Sequence, residues 1–208
     1  MKDLLHILGR RVVAGSDRMK ITDVRVLAAL AHPTRLAILH LLLTLGELTA
    51  TQCADVVDAT PSSCSYHLRH LERFGLVARV EPGPNDEVDG RTRRWRSVAS
   101  GFDFGEPHSN ESPELVAASV ALISTGLDEN LRLARHYLIH LEEVAEPWQN
   151  VSAFSTYALM VNPEELKSVV GAIDAIVRPL RGAARKNPPT DAVPVRLSLE
   201  AFPRTDLS

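Results

Sequence analysis

Apolar residues recur every three or four positions through most of the chain, the spacing of amphipathic helices. Leu4, Leu5, Leu8 and Val12 predict a short helix over residues 1–15, interrupted at Gly15-Ser16. A second is expected from about Asp23 to Ala31, with Val24, Leu27 and Leu30 on one side. Proline is favoured in a helix's first turn, so a third begins at Pro33 and turns Leu36, Leu39, Leu42 and Leu43 inward. After the turn Gly46-Glu47-Leu48, Thr49 and Gln52 have the spacing of a capping box and open a short helix to about Val57. Pro61 marks the next start. That helix runs to about Phe74, with Gly75 as the residue that ends it and Cys64, Leu68 and Leu71 as its buried stripe. The period then changes. Leu76–Val80 and Thr92–Val98 read as two strands joined by the Pro-, Gly- and Asn-containing loop Glu81–Gly90.

A short helix, a turn, a second helix and a β-hairpin make a winged helix-turn-helix. Such a unit lays one helix in the major groove while the hairpin reaches along the backbone. Opposite its apolar stripe, the helix beginning at Pro61 carries Ser62, Ser63, Tyr66, Arg69, His70 and Arg73, and Glu72 is its one acid. A helix that merely faces solvent mixes both signs of charge. Ser65 and His67 fall at the edge of this face.

The second half opens with a Gly-, Ser-, Asp- and Pro-rich linker over about 101–113. A long helix is expected over 114–146. Val116, Val120, Ile123, Leu127, Leu131, Ala134, Leu138, Leu141 and Ala145 form a coiled-coil-like seam along it. Two half-sites need two readers at fixed spacing, so the seam is a candidate dimer interface. Pro147-Trp148 ends the helix. A strand over Thr156–Val161, a helix from Asn162 to about Leu180 and a last strand over Pro194–Phe202 complete a β-α-β extension. The helix is expected to turn Leu166, Val169, Val170, Ile173, Ile176 and Val177 inward. The expected fold is mainly α with a small β component (α+β). A winged domain over 1–100 and a linker over 101–113 are followed by the dimerisation helix and extension over 114–208.

Charge sharpens this picture. The 208 residues carry a net charge of −3, which by itself argues against a basic coat on nucleic acid or membrane. The first hundred residues, however, hold 14 Lys and Arg against 11 Asp and Glu, a net of +3, and the rest hold 9 against 15, a net of −6. Seven arginines and no lysine lie between Arg69 and Arg96. The planar guanidinium fork suits phosphate and guanine edges. With 45% hydrophobic and 24% charged residues the composition is that of a globular protein. Two cysteines make no disulfide framework, no apolar run approaches a bilayer span, and no secretory leader is recognisable, so a cytoplasmic location and no membrane partner are expected.

The stretch Leu30-Ala31-His32-Pro33-Thr34-Arg35-Leu36-Ala37-Ile38-Leu39 resembles the opening of ArsR/SmtB-type regulators. Ser65-Tyr66-His67-Leu68-Arg69-His70-Leu71-Glu72-Arg73-Phe74-Gly75-Leu76-Val77 resembles their recognition helix and its exit into the wing. Asp89-Gly90-Arg91 and Trp95-Arg96 resemble the wing tip and return strand, and the likeness covers about residues 22–100. It implies a homodimeric transcription factor, usually a repressor, that binds a palindrome in double-stranded DNA. By the same likeness Ser63, Ser65, Tyr66, His67 and Arg69 are recognition-helix contacts, Arg35 approaches phosphate, and Arg91, Arg93 and Arg94 flank the wing tip. His67 has an alternative as a packed histidine bridging helix and wing. Strand alternation puts Arg94 and Arg96 on one face and Trp95 on the other, against the domain. The β-α-β segment resembles the C-terminal extension of a larger actinobacterial-type subgroup. It either shapes a pocket for an unknown small-molecule effector or enlarges the dimer core, and the second is favoured.

Metal-sensing relatives use closely spaced thiolates or His/Asp pairs, and the chain departs from both patterns. Cys53 stands alone in its helix, and Cys64 falls on a buried stripe. His136, His140 and Glu143 share a helical face but read as polar surface. No metal, no cofactor and no enzymatic activity are expected, since no nucleophile–base or phosphate-cradling motif is present. The alternative function is a redox or ligand sensor acting through protein–protein contacts with weak or no DNA binding.

Overall fold

The computed structural model describes residues 18–81, 93–105, 111–182, 185 and 187–207. The helix expected over 1–15 and the wing tip with Asp89, Gly90 and Arg91 lie outside the described residues. Two compact units are present. One comprises residues 18–129 with Leu180–Pro194, and the other contains Asn130–Pro179 and Val195–Ser208.

In the first unit, strand β1 (Met19–Lys20) precedes helices α1 (Val24–Leu30) and α2 (Pro33–Leu45). Asp23 caps α1 by accepting from the Arg25 backbone N–H at 2.8 Å. His32-Pro33 then turns the chain by 92° into α2. Strand β2 (Leu48–Thr49) leads into α3 (Ala50–Ala54), where the expected capping box forms. The Gln52 amide N–H donates to Thr49 Oγ1 at 3.2 Å, and the Thr49 N–H donates to Gln52 Oε1 at 2.8 Å. Helix α4 (Pro61–Arg73) follows, then strands β3 (Val77–Arg79) and β4 (Arg94–Ser97). Antiparallel pairing in the order β2-β4-β3 sets Leu48 opposite Trp95 and Arg79 opposite Trp95 on the other side. Thus the turn before α3, read as irregular, is a third strand of the wing sheet.

Strand β5 (Phe102–Asp103) pairs in parallel with β1, and Phe102 is 3% exposed in the core. The stretch expected to be a linker is therefore partly structural. Its polar composition hid an apolar anchor, and a two-residue pairing between distant segments leaves no periodic signal.

The core joins Leu27 and Leu30 of α1, Ile38, Leu39 and Leu42 of α2, and Leu68 and Leu71 of α4. Helix α5 (Pro113–Ile139) adds Ala118 and Leu122 to it. Among the described residues no single helix is long and apolar enough to cross a membrane.

Helix α5 ends earlier than the 146 its periodicity predicts. A single 3-10 turn at Leu141–Glu143 separates it from the short α6 (Glu146–Gln149). Pro147 explains the break. Inside a continuous helix its ring would meet the carbonyl four residues back and remove a backbone donor, so the helix must stop and restart with proline in its first turn. Helix α7 (Pro163–Val177) begins with an Asn162–Glu165 capping box. Of its expected inward positions Leu166, Ile173 and Val177 are half-buried, Val169, Val170 and Ile176 are exposed, and none is fully buried. Neither of the strands expected over 156–161 and 194–202 forms among the described residues, where no neighbouring backbone pairs with either stretch.

Gly75 terminates α4 with φ 67°, and a Cβ there would meet no atom within 4 Å. Gly75→Ala therefore isolates backbone strain and is expected to cost about 1 kcal/mol in denaturant unfolding, with Gly75→Asn costing less. Leu71→Ala removes a fully buried side chain and is expected to cost about 2–5 kcal/mol.

Candidate nucleic-acid interface

Helix α4 owes its orientation to its buried stripe. Cys64, His67, Leu68 and Leu71 face the core, which α4 meets through α2 and α3. The opposite side is consequently held in solvent. Ser62, Arg69 and Arg73 are exposed, Tyr66 is 57% exposed, and Ser63, Ser65 and His70 are half-buried. At the start of the helix, Thr60 Oγ1 accepts from the Ser63 N–H at 3.2 Å and shares a 3.0 Å hydrogen bond with the Ser62 hydroxyl. The Tyr66 ring lies 6.2 Å from that of His70, which in turn sits 5.2 Å from Phe74.

His67 departs from the expected contact set. It is 8% exposed, and its ring lies 4.8 Å from that of His32, the residue preceding α2. It therefore bridges α4 to the start of α2. That is neither a groove contact nor the helix-to-wing bridge weighed as its alternative. Arg35 is also half-buried: its Nε donates to the Ala29 carbonyl, tying the first turn of α2 to α1.

The wing arginines divide by partner. Arg79 pairs with Glu72 at 3.0 Å, and its guanidinium carbon lies 5.2 Å from the centre of the buried Trp95 ring. Arg94 pairs with Glu47 at 3.2 Å. It is thus half-neutralised where an unopposed phosphate contact was expected. Among the described residues no carboxylate pairs with Arg69, Arg73 or Arg93. Arg91 lies outside the described residues.

Between the N-terminal ends of α3 and α4 and the wing lies a cleft of about 420 Å3, lined by Thr51, Ser62, Ser65, Arg69, Arg79 and Arg93 among others and, among the described residues, by no acid. Three hydroxyls and three guanidinium groups converge there, a donor set suited to phosphate oxygens. Arg79 and Thr51 were not among the expected contacts. Strand register was the available signal for Arg79, which lies opposite Trp95.

The two cysteines are buried free thiols, and burial pushes the Cys53 thiol up to about 12. Both are held as thiols, which argues against a reactive redox pair. His136 and His140 stack at 4.2 Å, but α5 ends at Ile139, so the helical face they were expected to share with Glu143 is not continuous. Among the described residues no three His, Cys, Asp or Glu side chains gather as metal ligands. Along α5, Val116 is half-buried, whereas Val120, Ile123, Leu127, Leu131 and Leu138 are exposed, as is Leu141 beyond its end.

Burial lowers the pKa of both His32 and His67; the Arg35 charge adds to this at His32, and the charges of His32, Arg35 and His70 add to it at His67. The Nδ1 atoms of both rings are buried without a hydrogen-bond partner among the described residues. Histidines held neutral in the fold take up protons more readily when unfolded. Stability should be fully present above the ordinary histidine pKa of 6.5 and fall as pH drops below it towards the lowered folded values. Thermal melts between pH 7.5 and 5 are expected to show this loss, and His67→Gln is expected to flatten the slope (pH range about that of histidine titration).

Residues 30–80 match a family described as a helix-turn-helix domain. The match spans α2 through β3, which supply every cleft residue named above except Arg93. The chain carries a helix-turn-helix DNA-binding domain of the winged kind, and it is a DNA-binding transcription regulator.

Proposed function

We propose that the protein is a homodimeric, ArsR-type repressor that reads a palindromic operator. Helix α4 enters the major groove, and the wing lies on the backbone or in the minor groove. The observation that carries this reading is the cleft joining α4 to the wing, where Ser62, Ser65, Arg69, Arg79 and Arg93 bring hydroxyls and guanidinium groups together. Tyr66 and Arg69 project beyond it from the exposed side of α4 and read base edges. Arg73 and Arg93 hold the backbone, while Arg79, steadied by Glu72 and Trp95, lines the cleft between them. Arg35 and His67 support α4 from behind and leave the contact set. The apolar line Val120–Leu138 on α5 joins two copies and so sets the spacing of the two readers.

Tyr66→Ala combined with Arg69→Ala is expected to lower the ratio of specific to nonspecific affinity by at least about tenfold, since each base contact carries about 1–3 kcal/mol of discrimination. Arg93→Ala is expected to weaken all duplexes alike and to reduce the slope of log affinity against log salt by about one per protomer. Fluorescence anisotropy on an operator duplex and a scrambled duplex over a salt series checks both. An unchanged specificity ratio in the first variant would remove α4 from base reading. Leu127→Asp in α5 is expected to yield monomers by sedimentation and to weaken operator binding.

A further inference from the structure

The arginines beside the wing are unevenly neutralised. Arg79 lies against Glu72 at 3.0 Å, while Arg69 and Arg93 have no carboxylate partner among the described residues. All three line one cleft. Three guanidinium charges against one carboxylate leave a net of two positive charges beside the same space, counted over the described residues. Like charges held side by side repel, and an anion between them removes that cost.

Shape and lining narrow the kind of anion. The cleft holds about 420 Å3, within the range of sites that enclose small molecules. A duplex backbone presents diester phosphates with one negative charge each. One such phosphate neutralises half of the excess charge. The walls are also of two kinds. Ser62, Ser65 and the guanidinium groups supply donors, while Ala50, Pro61 and the Trp95 ring supply apolar surface. Glu72 and the Trp95 ring, whose centre lies 5.2 Å from the Arg79 guanidinium carbon, hold Arg79 in place. Part of the donor set is therefore ordered before any ligand arrives, which lowers the entropic cost of binding.

We propose that the cleft also binds a small phosphate monoester, its phosphate among Arg69, Arg79, Arg93 and the Ser62 and Ser65 hydroxyls and its organic part against Trp95, and that this molecule releases the protein from DNA. The proposal rests on the reading of the cleft as the seat of a backbone phosphate, and adds to it a ligand and a direction of regulation. A monoester carries about −1.5 to −2 charge at neutral pH, which matches the excess in the cleft. Its three terminal oxygens accept from several guanidinium and hydroxyl groups at once. A backbone diester has two free oxygens and a single charge. Bound monoester and bound duplex claim the same guanidinium groups, so each weakens the other by the same factor.

Trp95 supplies the readout. The chain has two tryptophans, and Trp148→Phe in α6 leaves Trp95 as the single one. Ribose 5-phosphate is titrated into this variant of the whole chain, with ribose, dimethyl phosphate and potassium chloride compared at one ionic strength. The expected result is a saturable change in Trp95 emission with ribose 5-phosphate alone. Arg69→Gln is expected to raise the half-saturating concentration at least about tenfold, because a charged hydrogen-bond donor is lost, and Arg93→Gln to act in the same direction. By anisotropy, ribose 5-phosphate is expected to displace an operator duplex beyond the effect of potassium chloride. Operator binding without a saturable response, or displacement no greater than that by dimethyl phosphate or potassium chloride, would overturn the inference alone. So would a response that neither arginine variant shifts, since the ligand would then sit elsewhere. A saturable, arginine-dependent response in a protein that binds no duplex at low salt would overturn the DNA reading, and the release step with it, and leave the monoester site standing.

Discussion

The burial of one stripe on α4 governs the rest of the first unit. Cys64, Leu68 and Leu71 are fully buried, and His67 nearly so. Rotating the helix by even one residue would bring polar side chains into that core and expose leucines, at a cost of several kcal/mol. The opposite face is therefore fixed in solvent by packing, and it happens to be the face with Tyr66, Arg69 and Arg73. Gly75 then reverses the chain, so β3 starts within one turn of the end of α4 and the wing stands beside the same face. The orientation of this exposed face is a consequence of the core.

Charge is distributed to match. Glu72, the one acid on α4, is drawn towards Arg79, and Glu47 towards Arg94, so these two acids lie against the wing strands. Among the described residues no acid lines the cleft. These exposed pairs add little to stability, but they orient Arg79 over Trp95 and leave Arg69 and Arg93 to face an incoming anion. A net charge of −3 for the whole chain is compatible with this, since the Debye length is about 8 Å at physiological salt and the acidic half is screened beyond it.

Much of this was legible in the order of residues. The caps at Thr49, Thr60 and Asn162, the prolines at 33, 61 and 163 and the glycine at 75 set helix ends locally, and local signals survive in sequence. The face of α4 followed from its period. What escaped depends on distant partners. The β1–β5 pairing joins two dipeptides about eighty positions apart. His67 lies at the edge of the α4 face, and only the approach of His32 makes it interior. Arg94 looked like a phosphate ligand until β4 brought it beside Glu47. The alternation of 156–161 and 194–202 pointed to strands, but a strand needs a backbone partner that a local pattern does not supply, and none pairs with either stretch among the described residues.

The central claim is that the exposed face of α4 and the wing, carried twice by a symmetric dimer, read a duplex. Hydroxyl-radical footprinting of the full protein on the DNA upstream of its own coding sequence tests it most directly. The expected result is a pair of dyad-related protected half-sites centred about one helical turn or a whole multiple of it apart, at about 10 base pairs per turn. Uniform cleavage at low salt, or protection of a single half-site by one copy, would contradict it.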